Sequence, residues 1–270
     1  MPYILQVDSH DEGPRSGWRR AVKGAVVPRI MRGAASVLVT GTLVRRSLIA
    51  RGLPPERMRV FAVTIDVDAF GQQADQLRPQ RAELRRRLGI GTDDVAVLSV
   101  ARLSPEKGLD TLIRAVAEAG HARLLVALAG RGPERNALEG LAESLGVRLV
   151  LLGDMPWEQM IEAYVAADAF ALLSEREPWC VVVNEAEACG LPVVLSDRVG
   201  AAADLLRDGE NGFLVPAGDV TAAAAAVRRL EDPELRARFG ARSRELVSGW
   251  GYEPSVEALL EACREAIASR

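Results

Sequence analysis

Lysine is almost missing from this sequence: Lys23 and Lys107 stand against thirty-two arginines. A chain that defaults to arginine singles out position 107, because an ammonium is a compact point charge where a guanidinium is a planar fork. Long apolar runs are missing as well. Apolar residues make up 49% of the 270, yet no uninterrupted run approaches the roughly 18 residues of a membrane span. The opening Pro2-Tyr3-Ile4-Leu5 carries no basic leader, as a signal peptide would. Cysteine is scarce, and Cys180, Cys189 and Cys263 are odd in number and lack metal-ligand spacing. A globular chain in the reducing cytoplasm is expected. A net charge of -3 argues against nucleic acid as a partner, and no G-x-G-x-x-G follows an early strand, which argues against a nicotinamide-dependent oxidoreductase.

What charge there is lies unevenly. Arg15, Arg19, Arg20, Lys23, Arg29 and Arg32 fall in one stretch with no acidic residue between them. Such a stretch suits peripheral contact with an anionic membrane or an acidic partner, and equally a solvated helix face. A second basic cluster, Arg78 to Arg87, follows the polar Gly71 to Gln76 and reads as linker and linker helix.

Periodicity predicts an incomplete beginning and a regular continuation. Pro2 to Val7, Ser36 to Val39 and Arg59 to Thr64 read as strands, with helices at Trp18 to Met31, interrupted by Pro28, and at Leu43 to Arg51, capped by Thr42. From Val95 onward strands and helices alternate: strands Val95 to Val100, Leu124 to Ala129, Val147 to Leu152, Ala169 to Leu173 and Pro192 to Leu195, and a short one near Asn211 to Val215. The intervening helices are Pro105 to Ala119, Glu134 to Leu145, Trp157 to Ala167 and Val182 to Cys189, and three more follow at Val220 to Leu230, Pro233 to Val247 and Pro254 to Ala268. Strands alternating with helices mean βαβ units and a parallel sheet, an α/β fold.

The stretch Ser174 to Ser196 holds two carboxylates, Glu177 and Glu185, eight residues apart. With a strand on each side and a helix between, Glu177 falls in the loop after a strand and Glu185 in the opening turns of the helix. Both then face the crevice beyond the carboxyl ends of the strands, where open parallel sheets bind ligands. Two solvated glutamates on an ordinary crossover are the competing reading. After the first strand of the regular part come Arg102 and Lys107, cations near a helix start that oppose its dipole unless an anion sits with them. After the second come Gly130 and Gly132, which permit close backbone approach or simply a tight turn. The backbone N–H groups from Trp179 through Cys180 and Val181 to Val182 can hold a phosphate or a sugar hydroxyl. Glu185 suits a ribose diol and Glu177 the sugar, so these groups together describe a nucleoside-diphosphate-sugar pocket.

The chain resembles family 4 of the retaining, nucleotide-sugar-dependent glycosyltransferases. The matching residues are Ala101-Arg102-Leu103 with Glu106-Lys107-Gly108, Gly130-x-Gly132-Pro133, Tyr164 with Ala167-Asp168, and Glu177-x7-Glu185-Ala186 continuing into Ala188 to Val194. Gly200 and Asp208 to Pro216 complete the match. The resemblance implies a GT-B fold: a complete C-terminal Rossmann-like parallel sheet with a partial N-terminal Rossmann-like domain. It implies a partial acceptor-side domain over 1–74, a donor-binding domain over 75–247, and a C-terminal helix over 248–270 that packs back on the N-terminal part. Arg102 and Lys107 would neutralise the departing diphosphate, Glu185 would bind ribose and Glu177 the transferred sugar, with retention and without a metal or other cofactor. Family members also place a functional histidine in the loop after the strand matching Pro2 to Val7, which makes His10 a site residue.

Departures accompany the match. Cys180 stands where the family usually has glycine, Ala201 follows Gly200 where a second glycine is frequent, and Asp204 replaces a glutamate. Asp66-Val67-Asp68 spells the D-x-D of metal-dependent glycosyltransferases, but in this family that segment is an interdomain connection. The match begins late in the family's N-terminal domain. The partners implied are a nucleotide-sugar donor, an acceptor that is a glycan, glycolipid or small molecule, and a separate N-terminal half chain. The alternative reading is a non-catalytic or half-enzyme module that binds a nucleotide sugar and needs that partner chain.

Overall fold

The apolar runs expected of buried strands form two parallel sheets in a computed structural model that describes residues 2–8 and 26–269. The chain divides into two units, residues 1–64 with 250–270 and residues 65–249. Among the described residues no helix is long and apolar enough to cross a membrane. His10 and the basic residues from Arg15 to Lys23 lie outside the described residues.

In the smaller unit, β1 (Ile4–Val7), β2 (Ser36–Val39) and β3 (Met58–Val60) pair side by side in chain order. Helix α1 is described over residues 26–33, with Pro28 in its first described turn. Helix α2 (Thr42–Ile49) begins at Thr42, with Gly41 rather than Thr42 in the capping position. Met31, Val37, Val39, Val44, Leu48, Leu53 and Met58 form one buried cluster. The last helix of the chain, Tyr252–Ala268, packs on these strands. There Arg59 pairs with Glu261 at 3.0 Å and also with Glu265.

The larger unit opens with α3 (Val67–Leu77) and α4 (Arg81–Arg87). It continues as β4 (Val95–Val100), α5 (Leu109–Ala119), β5 (Leu124–Ala129), α6 (Arg135–Ser144), β6 (Arg148–Gly153), α7 (Trp157–Ala166) and β7 (Ala169–Leu172). Then come α8 (Val182–Ala188), β8 (Val193–Ser196), α9 (Ala202–Leu205), β9 (Gly212–Val215), α10 (Val220–Arg229) and α11 (Pro233–Ser248), and the Tyr252–Ala268 helix of the smaller unit is α12. The six strands lie in the order β6-β5-β4-β7-β8-β9, all parallel. Both faces of the central strands β4, β5 and β7 are covered, which is why these are apolar at nearly every position rather than at alternate ones. Val95, Val97, Val126, Leu128, Ala169 and Ala171 belong to the cluster shared with α5 and α10. The alternate residues Ala96, Leu98, Phe170 and Leu172 are also buried, at no more than 0% exposure.

Two segments read as linker are structural parts of this unit. Gly71 to Gln76 lies within α3, whose Phe70 and Ala74 are buried and which packs on α7 and α8. Residues 67–74 therefore belong with the larger unit, and Asp66 caps α3 by accepting the Ala69 N–H at 3.0 Å. The Arg78 to Arg87 cluster does more than space. Arg85 is 3% exposed; its guanidinium reaches Asp168 and the Ala166 carbonyl at 2.8 Å and the Asp94 carbonyl at 2.7 Å. Arg81 bonds the Val165 and Ala167 carbonyls and the other Asp168 oxygen. Two arginines thus satisfy the carbonyls that α7 leaves open at its C-terminus, where positive charge is favoured. Asp168 completes the joint by accepting the Ala96 N–H of β4 at 2.9 Å.

Candidate donor cleft

Strand order decides where a ligand can sit. β4 has β5 on one side and β7 on the other, so the connections leaving β4 and β7 diverge and open a crevice at the carboxyl ends of the strands. A cleft of about 680 Å³ lies there, lined by Arg102, Lys107, Gly130, Gly132, Cys180 and Val182 among others. That volume is in the range of small-molecule sites.

Each wall follows from local backbone chemistry. Gly130, leaving β5, has φ 134°, and a Cβ there would come within 2.0 Å of the Ala101 carbonyl oxygen. Only glycine lets the β5 exit lie against the β4 exit. Leu103 N–H donates to the Arg131 carbonyl at 3.0 Å, and Glu134 N–H to the Leu103 carbonyl at 3.1 Å, which stitches the two loops together. The glycines of Gly130-x-Gly132 therefore serve loop-to-loop contact as well as the cleft surface. On the β4 side, Lys107 ends a single 3-10 turn, Pro105–Lys107, and a left-handed Gly108 with φ 61° separates that turn from α5. The sequence placed Lys107 inside the helix; it stands just ahead of it, because the left-handed glycine ends one turn and starts the next.

Beside the cleft, the loop after β7 carries Glu177 and the first turn of α8 carries Glu185. Glu177 is pinned by a parallel bridge to Val199, donating its N–H to the Arg198 carbonyl at 3.1 Å and accepting the Gly200 N–H at 2.8 Å. Its carboxylate pairs with the Lys107 ammonium. Glu185, in the first turn of α8, accepts the Tyr164 hydroxyl at 2.7 Å. Burial raises the Glu185 pKa above its ordinary value, and the Tyr164 hydrogen bond opposes that. Cys180 holds φ at 85°, the region that favours glycine, so the position itself explains why a glycine suits it. Its thiol is pushed up to about 12 by burial, with the Glu177 charge adding to the effect.

Not every expected residue faces the cleft in the same way. Arg102, Lys107, Gly130, Gly132, Cys180 and Val182 line it, whereas the Trp179 side chain is 4% exposed and donates its indole N–H to Asn184 at 3.2 Å. Glu177, Trp179, Val181 and Glu185 are absent from the lining, Glu177 reaching it through its ion pair with Lys107, and His10 lies outside the described residues. The structure adds Arg131, Asp154, Met155 and Met160. Arg131 and Asp154 pair at 3.4 Å. The signal for Asp154 was present: it follows β6 as Arg102 follows β4, and the strand-tip argument applied to that strand finds it.

The family described as Glycosyl transferases group 1 matches residues 80–246. The D-inositol 3-phosphate glycosyltransferase of Acidothermus cellulolyticus is 36% identical over 255 residues, covering 88% of this chain and 55% of the relative. The GDP-mannose-dependent alpha-(1-6)-phosphatidylinositol monomannoside mannosyltransferase of Mycolicibacterium smegmatis is 31% identical over 271 residues, covering 94% of this chain and 69% of the relative. Among solved structures, Anabaena HepE in complex with UDP superposes with a TM-score of 0.81 at 23% identity, covering 100% of this chain and 72% of that one. The chain thus spans about half the length of the first of these relatives.

Proposed function

Since this chain belongs to the group 1 glycosyl transferases, we propose that its cleft receives a nucleoside-diphosphate sugar and that the sugar passes to an acceptor hydroxyl with retention of anomeric configuration and without a metal ion. One observation carries the reading: two cations, Arg102 and Lys107, line the cleft at the switch point of the sheet, and the loop and helix after β7 bring Glu177 and Glu185 to the same end of the sheet. A strand-end crevice with fixed cations suits a diphosphate. HepE, which shares the fold, is a UDP complex.

In this reading Arg102 and Lys107 take up the negative charge that develops on the departing diphosphate, the work a metal ion does elsewhere. Tyr164 holds Glu185 by Oε2, leaving Oε1 for the ribose diol, and Glu177 meets the sugar. The bond from the anomeric carbon to the diphosphate oxygen breaks as the acceptor oxygen bonds to the same face. The departing phosphate accepts the acceptor's proton. The relatives named above act on inositol phosphate and phosphatidylinositol mannoside, as their names state, so an inositol-bearing hydroxyl is the acceptor class to try first. A lipid-linked acceptor would bring the chain to a membrane surface, where the Arg15 to Arg32 stretch supplies positive charge.

The test is thermal unfolding with UDP, GDP and ADP, for the parent chain beside Lys107→Ala and Glu185→Gln. A nucleotide at about a hundred times its dissociation constant adds about 2.7 kcal/mol, a shift of several degrees. One nucleotide is expected to stabilise the parent and to do so much less in both variants. No shift with any of the three, or an undiminished shift in Lys107→Ala, contradicts the reading.

A further inference from the structure

The cation proposed for the diphosphate already has an anion. Lys107 and Glu177, seventy residues apart in sequence, are ion-paired, with side chains 19% and 13% exposed. This is not a chance meeting of two long surface side chains. The turn bearing Lys107 and the loop bearing Glu177 are tied directly, because Glu175 N–H donates to the Glu106 carbonyl at 2.9 Å. Lys107 N–H is itself fixed to the Ser104 carbonyl at 3.1 Å, and Glu177 is fixed on both sides by Arg198 and Gly200. So the backbone holds the two charges together, and their low exposure keeps salt from screening them as it screens surface pairs.

Resting on the donor-site reading above, we propose that Glu177 is a built-in competitor for the diphosphate at Lys107. With the cleft empty, Glu177 neutralises the ammonium, which would otherwise stand unpaired at a helix start. An incoming nucleotide sugar engages both partners separately: its diphosphate takes Lys107 and its sugar hydroxyls take Glu177. The intact donor therefore keeps the pair apart. Once the sugar has been transferred, Glu177 has lost its ligand and returns to Lys107, where it competes with the remaining nucleoside diphosphate and hastens its release. Glu177 thus acts on the diphosphate through Lys107, as a positioning residue, in addition to any contact with the sugar.

Isothermal titration with UDP, GDP and ADP tests this on four proteins: the parent, Glu177→Gln, Lys107→Ala, and the double variant. The corresponding nucleosides serve as uncharged controls, and thermal melts show that each variant is folded. The nucleotide that binds the parent is expected to bind Glu177→Gln about fivefold tighter or more at low salt, the worth of a partly buried charge pair. The gain should vanish in the Lys107→Ala background and leave nucleoside affinity unchanged. Equal or weaker diphosphate binding by Glu177→Gln overturns the inference, as does a gain that persists without Lys107 or appears with the nucleosides too. Diphosphate binding without tightening sinks this inference alone. Absence of binding to the parent and to Glu177→Gln sinks the donor-site reading and this inference with it.

Discussion

Cys180 stands with φ 85° at the edge of the cleft, a conformation that costs a residue with a Cβ about 1 kcal/mol or more. Removing the side chain relieves that strain while giving up the burial of a thiol. Cys180→Gly is therefore expected to change stability by less than about 1 kcal/mol, whereas the β-branched Cys180→Val costs about 2 kcal/mol or more. Urea unfolding measures both, and a Gly variant as unstable as the Val variant would show that strain plays no part there. Individual residues were unequally legible in the sequence. The eight-residue spacing of Glu177 and Glu185 set one in the loop after β7 and the other in α8, because strand and helix lengths fix where each falls. Their partners were out of reach: Lys107 lies seventy positions from Glu177 and Tyr164 twenty-one from Glu185. No periodicity reports a contact made by tertiary packing.

Helix α4 is the element that composition described worst. An arginine-rich segment beside a polar one looks like a solvated spacer, yet α4 turns Arg81 and Arg85 onto the end of α7 and onto Asp168. Binary patterning treats arginine as surface, whereas a planar guanidinium with five donors can be buried where carbonyls and a carboxylate converge. Arg85→Ala is expected to destabilise the larger unit by about 3–5 kcal/mol, because the Asp168 carboxylate and several carbonyls lose a buried partner. Equilibrium denaturation checks this; a loss below about 1 kcal/mol would place Arg85 among ordinary surface cations. Helices α5 and α7 were legible to within a few residues, since their apolar periodicity is strong. The start of α5 was misplaced because a left-handed Gly108 makes two elements out of what reads as one.

At the scale of the molecule, alternation of strand and helix announced a parallel sheet, and the structure supplies what alternation cannot: the order β6-β5-β4-β7-β8-β9. That order is decided by which apolar faces pack, not by anything local. It places the cleft between the connections leaving β4 and β7, and so assembles Arg102, Lys107, Glu177 and Glu185 from segments that are distant in sequence. The parallel α/β architecture agrees with the GT-B glycosyltransferases among its structural neighbours. The most direct measurement is a crystal structure of the chain with whichever of UDP, GDP and ADP binds it. The account predicts the diphosphate in the cleft within hydrogen-bonding reach of Arg102 and Lys107, the ribose on Glu185, and Lys107 shared or withdrawn from Glu177. A nucleotide bound elsewhere, with the Lys107–Glu177 pair intact and the cleft empty, would contradict it.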